Sequence, residues 1–390
     1  MGSLREERER LAAERRRLRV RLGVAAVALL AGVTGVGLLA GGQPVPPGRG
    51  TAEAADADPV RAAVPVLAGF VEQARGLRFR ARPAVTVVEP ADFAKIVAEP
   101  LAGAPSGANR VATTQALGLA HPAGRAGAPS ADLEAFYSYP RHQVVLRSDM
   151  PLDAFGRVVL AHELAHALAD QNFDLLTLTR AAAADLDRLR ALTALVEGDA
   201  TRLELAYLGT ETAAEQADVR RRYNYDPRPA TFADNNRLFP YTIGRDFVIA
   251  LAGQGGNAAV DAAFRRPPTS TAQIIDPRKY LGGVEPIGVR PPTPAGTRVD
   301  AGTLGQFGLA MLVSRGRRVL NVSATSQWVG DAYVTSGAGR GFCTYDNIVL
   351  NTGEARDQLF LDLAPLARNP ANRTRIEKSA ARGIRVQACT

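Results

Sequence analysis

Cysteine is nearly absent from this chain, with two in 390 residues, Cys343 and Cys389. So few exclude a disulfide-scaffolded fold, and they lack the clustered spacing of a thiolate metal site. One bridge between them and two separate thiols both stay open. Charge is sparse as well, 22% of residues against 46% hydrophobic, which excludes a wholly disordered chain and leaves room for a sizeable core. A formal charge of +8 would suit a nucleic-acid partner, but residues 1–21 carry eight Arg against four Glu and so hold half of it. The remainder is only mildly basic, and no nucleic-acid partner is expected.

One long uncharged run stands out. Residues 22–42 (LGVAAVALLAGVTGVGLLAGG) contain no charge, and 21 residues at 1.5 Å each reach roughly 30 Å, the thickness of a bilayer hydrocarbon core. The sequence predicts a transmembrane helix here. The Arg-rich leader 1–21 places the amino terminus in the cytoplasm and the bulk of the chain outside. A cleaved signal peptide is the alternative, with Ala52-Glu53-Ala54 as its site, but that site lies well beyond the apolar run. Residues 43–58, rich in Pro, Gly, Ala and acid, read as a linker, and the folded region is expected from residue 59, with 59–335 as its body and 336–390 as a carboxy-terminal extension of the same domain.

Periodicity predicts a helix over 60–73, a strand over 84–88 and a short helix over 92–98. Residues 101–130, rich in Ala, Gly and Pro, read as a long surface segment that includes His121. Residues 134–147 predict two strands joined by a turn that exposes His142. From Leu152 the apolar pattern of a helix runs to about Phe173, and a second helix is expected over 181–207. The fold class is α+β, mainly helical.

The chemistry sits on the first of these two helices. Residues 161–170 read AHELAHALAD, so His162 and His166 share a helix face at i and i+4, with Glu163 beside the first. Two imidazoles one turn apart can reach a single Zn²⁺ at about 2.0 to 2.1 Å, leaving Glu163 as general base toward a water that the ion activates. A third ligand is required. The positions that would continue the motif as HExxHxxGxxH hold Ala169 and Asn172, which excludes that source. The second helix offers LVEGDA, residues 195–200, and Glu197 is assigned as the third ligand, with Asp199 and Glu204 as rivals. Gly198 weakens a helix by about 1 kcal/mol relative to Ala, and close approach of the two helices at the metal is one reason for it. Asp170 and Asp199 are candidate partners for the second ring nitrogen of a ligating histidine.

With HELAHALADQ at 162–171 and LVEGDA downstream, the chain resembles the gluzincin clan of zinc metallopeptidases, whose short form is HExxH plus a distant Glu. Segments around Tyr241, Tyr280 and Trp328–Asp331 resemble a little-characterised group of membrane-anchored bacterial proteins with an extracellular HELxHALxDQ domain, over roughly residues 60–335. The resemblance implies a zincin-like domain, a small sheet with two ligand helices, and an active-site strand at 143–147 whose edge pairs with an extended peptide. It also implies an electrophilic donor for the oxyanion, for which Tyr241, Tyr280 and Tyr333 stand in matching segments.

The function expected is a membrane-anchored extracellular zinc peptidase acting on a peptide or protein, anchored in the membrane by its amino-terminal helix. A non-catalytic zinc domain that binds a surface protein or cell-wall polymer is the rival from another class, although such a site has no use for Glu163. A zinc amidase acting on peptidoglycan would use the same residues. Nothing in the sequence fixes an oligomeric state.

Overall fold

The computed structural model describes residues 59–98, 107–119, 133–223, 232–315, 320–339, 341–368 and 373–390. The expected leader, membrane span and linker (1–58) and His121 lie outside them. Among the described residues no helix is long and apolar enough to cross a membrane.

The chain is α+β and mainly helical. Helix α1 (Pro59–Arg75) buries Val64, Leu67, Ala68 and Val71, a stripe at i, i+3, i+4 and i+7 that lies against the core. It leads to strand β1 (Ala84–Val88), helix α2 (Pro90–Val97) and helix α3 (Gly107–Ala116). Helix α3 departs from the surface segment expected at 101–130. It is followed by buried Leu117 and Leu119, and Ala112, Thr113 and Ala116 are buried within it. Low periodicity concealed it because small Ala and Thr side chains carry its buried face.

Strands β2 (Ala135–Ser138) and β3 (Gln143–Arg147) flank a 3-10 turn at Tyr139–Arg141, as the hairpin pattern predicts. His142 closes the turn in the left-handed region, φ 50°, and its side chain is exposed. Strand β3 pairs with β1 in parallel and with β2 antiparallel, so the sheet order is β1-β3-β2. Residues 143–147 are therefore the central strand. Both of their backbone edges are taken, and the expectation that this strand offers an edge to a peptide is corrected; β2 is the edge strand on that side. Alternation in this sheet covers both faces: Ala135, Tyr137, Val144 and Leu146 join the main core, while Phe136 and Val145 pack under Phe93 and Val97 of α2.

Helix α4 (Ala154–Phe173) begins where Asp153 accepts the Gly156 N–H at 3.1 Å and ends at Asp174 in the left-handed region. It is buried on every side from Val158 to Asp170, which its Ala-rich and Leu-rich composition permits. The helix expected at 181–207 is α6 (Leu186–Leu208), which begins five residues later, its first turn capped by Asp185 on the Arg188 N–H; a short helix, α5 (Leu175–Ala182), fills the stretch before it that was expected to be a turn. Asp185 at the cap ends the earlier pattern, because its side chain takes the place of a helical backbone acceptor. Helix α7 (Ala213–Tyr223) lies on α4; α8 (Phe232–Phe239) and α9 (Arg245–Arg265) are joined by a π-helical turn at Pro240–Gly244. Pro240 has no N–H to continue the α ladder, which accounts for the shift in register there.

Two short helices, α10 (Thr271–Ile275) and α11 (Pro277–Leu281), precede β4 (Arg298–Gly302) and α12 (Gly305–Val313). Strands β5 (Trp328–Ala338) and β6 (Gly341–Leu350), helix α13 (Gly353–Arg368), and strands β7 (Thr374–Ser379) and β8 (Gly383–Cys389) complete a second, antiparallel sheet of order β4-β5-β6-β8-β7. The boundary placed at 335 falls inside β5, and one hydrophobic core runs from Val64 to Ala388. Cys343 of β6 and Cys389 of β8 face each other in the register and are disulfide-bonded across 46 residues. Closing a loop of that length stabilises a fold by about 2 to 4 kcal/mol, and reduction or Cys343→Ser is expected to lower the urea midpoint accordingly.

The inner face of this sheet carries a buried acid pair. Asp331 accepts the N–H groups of Leu304 and Gly305 and the Trp328 indole at 2.7 to 2.9 Å, whereas among the described residues no donor reaches either oxygen of Asp346 beside it. Burial, and then the neighbouring Asp331, push the Asp346 carboxyl well above its ordinary range. The unfolded chain releases this proton near pH 4 while the folded chain keeps it. Stability is therefore expected to fall as pH rises above about 4. Asp346→Asn, which cannot ionise, should flatten that slope in urea melts at pH 5 and pH 8, with the variant gaining on the parent at the higher pH.

Candidate metal centre

Helices α4 and α6 pack against each other and bring three donor atoms to one point. His162 Nε2 lies 3.0 Å from His166 Nε2 and 3.3 Å from Glu197 Oε2, and His166 Nε2 lies 3.4 Å from that same oxygen. Ligands at about 2.05 Å on a tetrahedral ion stand about 3.3 Å apart, so the triangle has the dimensions of a metal site. His162, His166 and Glu197 form a group able to hold a metal ion.

The protonation pattern fits as well. His162 Nδ1 faces Glu204 Oε2 at 2.8 Å. A carboxylate only accepts, so Nδ1 carries a hydrogen, which leaves Nε2 as the ring nitrogen that can give up its own proton to a metal ion. Three such atoms facing one another need positive charge among them, which protons on the imidazoles or a bound metal ion can supply. Burial works against the Glu197 charge, but His166 and His162 outweigh it and hold its carboxyl down to about 2.

Glu204 is thus the partner of a ligand and not a rival to Glu197. Seven residues separate the two on α6, nearly two full turns, so they share a face. Asp199 points elsewhere. It takes Arg75 Nε at 2.7 Å and Arg202 at 3.0 Å, and Arg75, buried at 2% exposure, reaches Asp261 as well. Asp170 does not serve His166 either, since it accepts Tyr137 Oη, His142 Nδ1 and the Leu175 N–H at 2.7 to 2.8 Å. It thereby docks the β2–β3 hairpin onto the end of α4, and Gln171 and Asn172 do the same for residues 78–81. Among the described residues, His166 Nδ1 has no hydrogen-bond partner.

Glu163 is buried one residue along from His162, with Oε1 unpartnered among the described residues and the Tyr137 backbone N–H donating to its carboxylate. Burial pushes this carboxyl above its ordinary range, against the pull of His162, His166 and that N–H. Of the three tyrosines proposed from the sequence, only Tyr241 is brought to the cluster. Its ring stacks on His162 at 6.2 Å between centroids, and its hydroxyl lies against Glu197 without a hydrogen bond of ordinary geometry. Tyr280 donates to the Arg266 carbonyl and packs on Phe247, and Tyr333 donates to Asp300 in the second sheet. Both hydroxyls are engaged in holding local structure together. Tyr139, which the sequence did not single out, is buried near Glu197, Asp170 and Glu163.

Gly198 has a reason other than contact between α4 and α6. A Cβ there would lie 2.5 Å from the Gly244 carbonyl carbon and 2.9 Å from Arg245 N, and one on Gly244 would meet Ala194. The two glycines let the π turn that carries Tyr241 lie directly on α6. Gly198→Ala is expected to lower stability by about 1 to 3 kcal/mol through overpacking, visible as a drop in melting temperature, and to displace Tyr241.

No protein-family model, curated protein sequence or solved structure matches this chain. The functional reading therefore rests on the geometry of the site.

Proposed function

We propose that this protein is a zinc-dependent peptidase with a zincin-like domain of the gluzincin type, held outside the cell by a membrane helix at residues 22–42. One observation carries the reading: three ligand atoms at metal spacing stand beside a carboxylate with a free oxygen and a phenol with an unused hydroxyl. A purely structural site has no need of the last two.

His162, His166 and Glu197 hold the ion. Bound zinc supplies Lewis-acid polarisation of the scissile carbonyl and lowers the pKa of a water at the site. Glu163 accepts the proton of the attacking water and returns it to the leaving amine. Tyr241 donates its hydroxyl hydrogen to the carbonyl oxygen as negative charge gathers there. The Tyr137 N–H keeps the Glu163 carboxylate aimed, and Glu204 keeps His162 in the required tautomer.

Burial favours one competing reading. His162, Glu163, His166, Glu197 and Tyr241 are each at most 4% exposed, as in a closed structural zinc site within a binding domain. The two part on one experiment: zinc content of the purified chain, paired with incubation against a mixed peptide library followed by mass spectrometry. Stoichiometric zinc with new cleavage products supports the peptidase; stoichiometric zinc with neither the library nor muropeptides cleaved supports the structural site. A peptidoglycan amidase would cleave muropeptides in a parallel incubation and leave the library intact.

A further inference from the structure

The geometry points to Tyr223 as a positioning residue for the metal centre, acting through Glu204; this rests on the metal-binding reading above. Tyr223 is the last residue of α7, and its hydroxyl donates to Glu204 Oε1 at 2.6 Å, while Glu204 Oε2 accepts from His162 Nδ1 at 2.8 Å. The carboxylate is 2% exposed. With no bulk water to share, each of its oxygens has one donor, and the two donors fix its plane. Without the phenol the carboxylate can rotate about its last bond and present either oxygen, or neither, to His162. The imidazole would then lose the partner that fixes its tautomer and its tilt toward the ion.

The placement of Tyr223 is itself built. Its ring packs on Phe155 of the first turn of α4 at 5.3 Å, the neighbouring Arg222 guanidinium covers that same phenyl ring at 4.5 Å, and Arg222 pairs with Asp153, the cap of α4, at 3.0 Å. At the far end of α7, Arg157 of α4 holds Glu211 and Glu215 at 2.7 and 3.0 Å. Helix α7 is therefore clamped to the ligand helix at both ends. Its outcome at the site is one hydrogen bond, from Tyr223 to the acid behind His162.

The test is a double-mutant cycle read by Zn²⁺ affinity, measured on the full chain by competition with a chromogenic chelator. Glu204→Ala is expected to raise the Zn²⁺ dissociation constant by roughly 10- to 100-fold, as loss of an outer-sphere partner does. Tyr223→Phe, which keeps the ring on Phe155, should raise it by about 5-fold in the parent and leave it unchanged in the Glu204→Ala background. The visible spectrum of the Co²⁺-loaded Tyr223→Phe chain should shift in the same direction as that of Glu204→Ala. An unchanged affinity in Tyr223→Phe, or the same loss in both backgrounds, overturns the assignment and leaves Tyr223 as a packing residue. A parent chain that binds no Zn²⁺ removes the metal centre itself, an outcome seen before any substitution is compared.

Discussion

Glu163→Gln is expected to lower kcat/KM for any peptide the parent cleaves by roughly two to four orders of magnitude, the usual contribution of a general base, while bound zinc stays at one per chain. The amide matches the carboxylate in shape but cannot take a proton. Its oxygen can still accept the Tyr137 N–H, so the change leaves the site's support in place. None of the three ligand atoms belongs to Glu163, and metal content separates a chemical defect from a folding one. Turnover equal to the parent would remove Glu163 from the mechanism. Loss of zinc in step with activity would instead make it a structural neighbour of the ligands.

The second large effect divides two acids that are two residues apart. Glu197→Ala removes one corner of the ligand triangle, and the expected loss of Zn²⁺ affinity exceeds the roughly 10- to 100-fold that loss of an outer-sphere partner costs. Asp199→Ala should leave affinity nearly intact and lower stability by about 3 to 5 kcal/mol, because it strands the buried Arg75 with only Asp261 for a partner. Chelator competition and a urea melt on the same two variants give a crossed result: metal lost in one, stability lost in the other. If Asp199→Ala loses more zinc than Glu197→Ala, the ligand assignment fails.

Much of this was legible in the chain. The i, i+4 histidines and the helix ending at Phe173 follow from local rules, as does the hairpin at 135–147. Residues 143–147 looked like an edge strand because nothing in their own sequence reports that β1, some 60 residues earlier, comes to lie alongside. Tyr280 and Tyr333 were indistinguishable from Tyr241, since a phenol's value to the site depends on whether its hydroxyl is already engaged. Helix α3 was hidden by small residues whose burial arises from contact with the second sheet.

By itself the sequence determined the presence of a two-histidine face with an adjacent carboxylate, because helical pitch is a property of neighbouring residues. Which acid completes the triangle was a matter of how α6 is rotated against α4. Only the packed structure decided that Glu197 and Glu204 face the histidines while Asp199 turns to Arg75. It also decided that a π turn seated on Gly198 delivers Tyr241 and that α7 delivers Tyr223. Those placements join segments far apart in the chain, and they depend on shape and burial that no local pattern encodes.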